Sequence, residues 1–231
     1  MKNEWKNRLS IFWKGWGYSI LVALLIATSF RSAIADLNDI PTGSMKPTIL
    51  IGDRILVNKL AYDLKIPYTT WRLVKWSDPE RGDIVVFFSP EDGKRLIKRV
   101  VGLPGDLIAM SQNQLFINGQ FVKYELLDKE IIDQIEPDRQ RYHVFLREIL
   151  QSKKHPVMFT PSSPFLDSFS TVKIPEGKYF MMGDNRDNSG DSRLFGFVAR
   201  KLIVGRATKV LISRKGSFFH PRWGRFFRDL S

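Results

Sequence analysis

The sequence predicts a mainly β protein: an antiparallel sheet core, interrupted by a smaller inserted lobe and preceded by one N-terminal transmembrane helix. Three observations predict it. An uncharged apolar stretch runs from Gly15 to Phe30. Beyond Gly52, short β-branched and aromatic runs recur between Gly, Pro and Asp, as strands between turns do. From Leu107 to Thr171 that rhythm gives way to a more polar and charged composition. The expected division is therefore a flank over 1–14, an anchor over 15–35, a β-rich core formed by 36–106 and 172–231, and a lobe over 107–171.

The segment Ile20-Leu21-Val22-Ala23-Leu24-Leu25-Ile26-Ala27 is apolar on every helical face, the pattern of a helix surrounded by lipid. The sixteen uncharged residues are a little short of the ~20 that span a bilayer. Trp13, Trp16 and Tyr18 suit an interfacial belt at one end. Lys2, Lys6, Arg8 and Lys14 precede the stretch against one acid, Glu4, which keeps the flank cytoplasmic and exports the remainder. A cleavable secretory signal ending at Ala33-Ile34-Ala35 is the competing reading, with the same consequence for the domain that follows. The length of the apolar stretch favours a retained anchor.

Arg54 to Leu60 alternates and is β-rich, Gly82-Asp83 introduces Ile84 to Phe88, and Leu96 to Val101 resumes before Gly102. Lys59 to Trp76, with Pro67 near its middle, predicts a projecting hairpin. Within the lobe, Asn118-Gly119 signals a tight hairpin and Glu125 to Lys154 reads as polar. Strands return at Val172 to Ile174, Tyr179 to Met182 and Val204 to Ile212. The tail mixes Phe218, Phe219, Trp223, Phe226 and Phe227 with basic residues, and suits either a lipid surface or its own domain.

At 231 residues and 43% hydrophobic the chain can bury a core of good size, which excludes a disordered protein. Lys and Arg exceed Asp and Glu by 36 to 24, a formal +12 that attracts lipid head groups or nucleic acid without choosing between them. With no cysteine there is no disulfide and no thiolate nucleophile. His143, His155 and His220 fit no metal motif, so no metal site is expected.

Three constellations carry chemistry. Ser44 lies in Ile40-Pro41-Thr42-Gly43-Ser44-Met45-Lys46-Pro47-Thr48, where two prolines and a glycine favour a turn that presents its hydroxyl. Such a turn is far more often a plain loop than a nucleophile. A serine nucleophile needs a base, and Lys98 shares one face of its predicted strand with Leu96 and Val100. Desolvation there lowers a lysine's pKa toward the neutral form that a base requires, whereas a solvated basic surface would leave it charged. The third, Gly183 to Arg193, is dense in short polar side chains and suits a hairpin or calcium loop, although its spacing fails the EF-hand pattern. Asp191 and Arg193 are placed to pair, and Ser189 to orient a base.

In order and content these blocks resemble the bacterial type I signal peptidases, membrane-bound Ser-Lys endopeptidases. The resemblance covers the apolar stretch, Ile40 to Leu50, Gly52-Asp53, Arg81 to Phe87, Lys98 to Asp106 and Gly183 to Phe197. It implies that Ser44 is the nucleophile and Lys98 the general base. It places Thr42, where the family often has serine, in the oxyanion hole with the Ser44 N–H. It gives Ser189 the hydrogen bond to the lysine, Asp191 and Arg193 the support of their loop, and Ile40, Pro41 and Ile97 the pockets for small substrate side chains. It further implies exported preproteins with Ala-X-Ala signal peptides as substrates, contact with membrane lipid, no nucleic acid, and no metal or cofactor. The location implied is the bacterial inner membrane, crossed once, with the catalytic domain outside. Self-cleaving Ser-Lys repressors share the dyad, but the apolar stretch before Ser44 speaks against them. A non-catalytic basic module tethered to the membrane is the reading from another class.

Overall fold

The computed structural model describes residues 13–69, 71–133, 142–162, 166–216 and 220–230. Lys2, Glu4, Lys6 and Arg8 of the flank, and Phe218 and Phe219 of the tail, lie outside them. A π-turn over Trp13–Gly17 leads into helix α1 (Tyr18–Ala33). Its 16 residues rise about 24 Å, less than the ~30 Å of a bilayer's hydrocarbon. Among the described residues no helix is long and apolar enough to cross a membrane. The transmembrane helix expected over 15–35 is thus corrected to a shorter helix. Its first residues are taken up by the π-turn, and at Ala35 the backbone has already entered strand β1 (Ala35–Asp39).

Strand β2 (Asp53–Asn58) alternates buried with half-buried residues. It stops at Asn58 because that side chain accepts the Leu60 N–H at 2.9 Å and starts a 3-10 turn. Strands β3 (Asp63–Lys65) and β4 (Arg72–Lys75) form the expected hairpin. Strands β5 (Ile84–Phe88) and β6 (Arg95–Gly102) follow. Next come β7 (Leu107–Ser111), β8 (Gln114–Ile117) and β9 (Gln120–Phe121). Asn118 and Gly119 join β8 to β9 with positive φ of 53° and 74°, as a tight hairpin turn requires. Strand β10 (Lys123–Leu126), helix α2 (Lys129–Ile132), β11 (Val144–Leu150), β12 (Lys153–Phe159) and β13 (Phe169–Lys173) complete this region. The chain ends with β14 (Lys178–Met182), helix α3 (Ser192–Phe195), β15 (Val198–Ala199), β16 (Ile203–Ser213) and β17 (Arg228–Asp229).

The main sheet is antiparallel, in the order β1-β2-β16-β5-β6-β14-β15, with β17 added to β16. Its central strands are buried on both faces: Ile84 and Val86 enter one apolar cluster with Ile40, Met45 and Ile55, and Val85 and Phe87 enter another with Val100 and Met181. Two further sheets, β13-β7-β8-β9 and β10-β11-β12, lie between β6 and β14 in sequence. Val101, Phe180 and Met182 of the main sheet share a cluster with Ile108, Leu115 and Leu150 of those sheets. The tail packs on its own domain in part, since Leu230 joins the first cluster and the buried Arg225 bonds Asp53 at 2.6 Å. Trp223 and Phe227 stay exposed.

Candidate active site

Ser44 sits in a turn pinned at both ends by the backbone: Ile40 N–H donates to Asp53 O at 2.9 Å and Gly52 N–H to Ile40 O at 3.0 Å. Inside it Lys46 N–H donates to Gly43 O at 3.1 Å and Ile49 N–H to Met45 O at 2.9 Å. Met45 and Ile49, fully buried, hold the turn down on the sheet. On β6, Leu96 and Val100 pack into one cluster while Ile97 packs against the opposite one, as alternation requires.

Lys98 reaches across to the turn. Its Nζ lies 2.6 Å from Ser44 Oγ and 3.0 Å from Ile97 O, and the residue is only 3% exposed. Burial pushes the lysine's pKa down to about 8, although the carboxylates of Asp191 and Asp184 pull the other way. A substantial neutral fraction therefore exists at ordinary pH.

The loop that follows β14 closes over the turn. Asn185 N–H donates to Ser44 O and Asn185 Nδ2 to Gly43 O, both at 3.1 Å. A Cβ on Gly183 would stand 2.4 Å from Ser44 O, so only glycine permits this approach. Asp184 takes a bidentate grip from Arg99 at 2.8 and 2.7 Å and a short bond from Thr48 Oγ1. Burial pushes the Asp184 carboxyl up, but Arg99 outweighs it and the pKa ends below the usual range. Asp191 pairs with Arg193 at 2.9 and 2.8 Å, accepts the Gly183 N–H at 3.0 Å and caps α3. Burial raises its carboxyl as well, and Arg193 brings it down.

Thr42 and Pro41 are exposed at the mouth of a cleft of about 230 Å³. Ile40, Ile55, Val86 and Ile97 line it together with Ser44, Lys98, Asn38, Asp39 and Arg95. β14 pairs only with Arg99, Val100 and Gly102 of β6. Among the described residues, Arg95 to Lys98 therefore carry a strand on one edge alone, that of β5.

Of the residues singled out in the sequence, Ser44, Lys98, Thr42, Ile40, Pro41 and Ile97 line this one cleft, and Asp191 and Arg193 pair beneath it. Ser189 differs. It is buried in the same loop, where its hydroxyl helps keep the Asp191 carboxyl charged, and no hydrogen bond joins it to Lys98. Asn185, Thr48 and Arg99 were given no separate role by the sequence. The tightly spaced polar run from Gly183, and an arginine beside a strand lysine, are the only signals that could have found them. No group of acids and histidines able to hold a metal occurs among the described residues.

Comparison with known proteins gives this cleft a context. Residues 13–212 match the family described as signal peptidase, peptidase S26. A signal peptidase I from Pseudomonas fluorescens is 40% identical over 210 residues, covering 86% of this chain and 72% of that protein. One from Pseudomonas aeruginosa is 38% identical with the same coverage. A solved signal peptidase I from Enterococcus faecalis V583 is 29% identical, covers 56% of this chain and 97% of that one, and superposes with a TM-score of 0.34. The chain thus belongs to the signal peptidase family, peptidase S26, as a serine endopeptidase.

Proposed function

We propose that this chain removes the signal peptides of exported preproteins with Ser44 as nucleophile and Lys98 as general base. The observation that carries the reading is the 2.6 Å approach of Lys98 Nζ to Ser44 Oγ in the wall of a cleft. A neutral Lys98 takes the hydroxyl proton as Ser44 attacks the scissile carbonyl, returns it to the leaving amine, and then activates the water that frees the acyl-enzyme. The backbone N–H of Ser44 and the Thr42 hydroxyl hold the oxyanion, where one fixed donor is worth roughly 3 kcal/mol. Asp191 and Arg193 keep the loop against the turn, and Ser189, buried in that loop, hydrogen-bonds and orients the lysine once its proton moves.

Substrate lies extended on the open edge of Arg95 to Lys98, gaining main-chain hydrogen bonds as an added strand would. Ile40, Pro41 and Ile97 leave room for small side chains, consistent with Ala-X-Ala. The region 107–171 reads as an insertion into the catalytic domain. Helix α1 exposes Leu21, Leu24, Leu25 and Ile26, which supports insertion into lipid at the bacterial inner membrane, with the catalytic domain on the outer side. Cleavage of a preprotein in detergent tests the reading. Ser44→Ala, Lys98→Ala and Lys98→Arg are each expected to lose cleavage, since arginine stays charged and cannot accept the proton. Substantial activity in Lys98→Arg would refute the base assignment, unchanged cleavage in Ser44→Ala would refute Ser44 as the nucleophile, and absence of cleavage by the wild type would favour a non-catalytic module.

A further inference from the structure

A second cleft, of about 580 Å³, lies where the last turn of α1, the β3–β4 hairpin, the facing ends of β5 and β6 and the 3-10 turn Arg200–Leu202 meet. Its wall carries Lys59, Lys65, Arg95 and Lys201 against one acid, Asp36. Arg95 donates to Asp36 at 3.0 Å, and Lys59 Nζ lies 3.6 Å from the same carboxylate. Asp63, fully buried, is shared among Lys65, Arg72 and Arg200. Cations therefore outnumber acids around this space, and Arg95 and Lys201 are exposed to what enters it. Burial pushes the Lys65 ammonium below its ordinary range, and Arg72 and Arg200 add to that against the pull of Asp63. An anion in the cleft relieves this crowding.

The remaining wall is largely apolar and aromatic. Tyr68 and Trp71, at the hairpin tip, are 64% and 73% exposed, and Tyr68 bonds Thr28, Ser29 and Ser32 of α1. Leu73, Val74 and Trp76 continue an exposed apolar strip along β4 and just beyond it. Tyr and Trp favour the level of lipid head groups, and a basic pocket beside a helix at that level suits a headgroup phosphate. A free phosphate would use the cations and leave the aromatic rim without a role.

Resting on the reading of α1 as seated in lipid, we propose that this cleft binds the phosphate headgroup of an anionic phospholipid. Arg95 and Lys201 meet the phosphate, Lys59 and Lys65 add to the positive field, and the acyl chains leave past Trp71 along the apolar strip. Arg95 also lines the cleft of Ser44, and three residues of extended strand set it about 10 Å from Lys98. The bound lipid thus lies beside the substrate's path to the active site.

The test adds phosphatidylglycerol or phosphatidylcholine with brominated acyl chains to the full chain in a neutral detergent. Bromine quenches nearby indoles, and comparison with Trp71→Phe and Trp16→Phe assigns the signal of each. Half-quenching of Trp71 is expected at a mole fraction of phosphatidylglycerol at least about fivefold below that of phosphatidylcholine, the effect of one cation near an anionic lipid. Lys201→Gln should lose about fivefold in phosphatidylglycerol affinity, whereas Lys173→Gln, the same loss of charge on β13, should lose none. Equal quenching of Trp71 by both lipids, or an equal loss in Lys173→Gln, overturns the site. Release of phosphatidylglycerol by inorganic phosphate or by a signal-peptide substrate gives the cleft to that competitor and overturns it as well. If bromine quenches Trp16 but not Trp71, the anchor stands and this site falls. If it quenches neither, the reading of α1 in lipid falls with it.

Discussion

Lys98 owes its chemistry to the environment of its stem. Desolvation brings its pKa to about 8, so the kcat/KM for peptide cleavage is expected to rise as pH increases toward 8 and then level off, because the free enzyme must carry the neutral amine. A pH–rate profile checks this, and a flat profile between pH 6 and 9 would contradict it. Thr42 separates shape from hydroxyl. Thr42→Val keeps the branched side chain and should lower kcat by about 10²–10³ if the hydroxyl holds the oxyanion, while Thr42→Ser should retain most activity. At this scale the sequence was informative where residue type is unusual, as with a lysine among aliphatic residues on a strand. It was silent where a common residue acts through its backbone. Asn185, which holds Ser44 O, looks ordinary until the fold brings it to the turn.

Among the elements, the loop from Gly183 to Arg193 shows how a segment far along the chain sets the geometry of an early one. Its first residue packs against the Ser44 carbonyl, so Gly183→Ala must push the turn outward. Cleavage should fall on the order of a hundredfold, as expected for a displacement of about 1 Å at a reacting group. Thermal unfolding of the same variant should move far less than activity does. The hairpins at Lys59 to Trp76 and Asn118-Gly119 were legible because turn chemistry is local. Strands β11 and β12 were not, and Glu125 to Lys154 read as a polar stretch. The reason is that two inward positions there are Glu148 and His155, a directly opposed pair that is fully buried and so breaks the apolar alternation. Helix α1 was anticipated in place but not in extent, since hydropathy does not register a chain that turns into a strand at Ala35.

For the whole molecule, that buried pair is part of a junction between sheets. Glu148 bonds Arg186 at 2.6 Å and Tyr124 at 2.9 Å, and His155 Nε2 lies 3.1 Å from the same carboxylate. Arg186 follows Asp184 and Asn185 in the loop after β14, so strand β11 anchors the loop that holds Ser44. Glu148→Ala strands a fully buried guanidinium and should cost about 3–5 kcal/mol in urea unfolding. Burial pushes the Glu148 carboxyl up, yet Arg186 and His155 hold it below the usual range. Burial, with Arg99 nearby, pushes His155 below its ordinary 6.5. For both groups the unfolded chain binds protons more readily than the folded one, so acid removes stability. Urea midpoints should decline first as pH falls through about 6.5, and more steeply below about 4.5, where unfolded carboxylates protonate. His155→Gln should flatten the upper part of that decline. The join between α1 and β1 has a different kind of consequence. Ile34 alone separates them, and Lys59 Nζ and Tyr68 N–H clasp Ser32 at 2.9 and 2.7 Å, so helix and sheet meet without slack. If α1 is seated in lipid, as the proposed function has it, the molecule acts as a ruler: the distance from the bilayer to Ser44 is built into the chain. A substrate is then cut at a set height above the membrane, and lengthening the joint at Ile34 should shift the cut along the substrate, a displacement that mass spectrometry of the products would read.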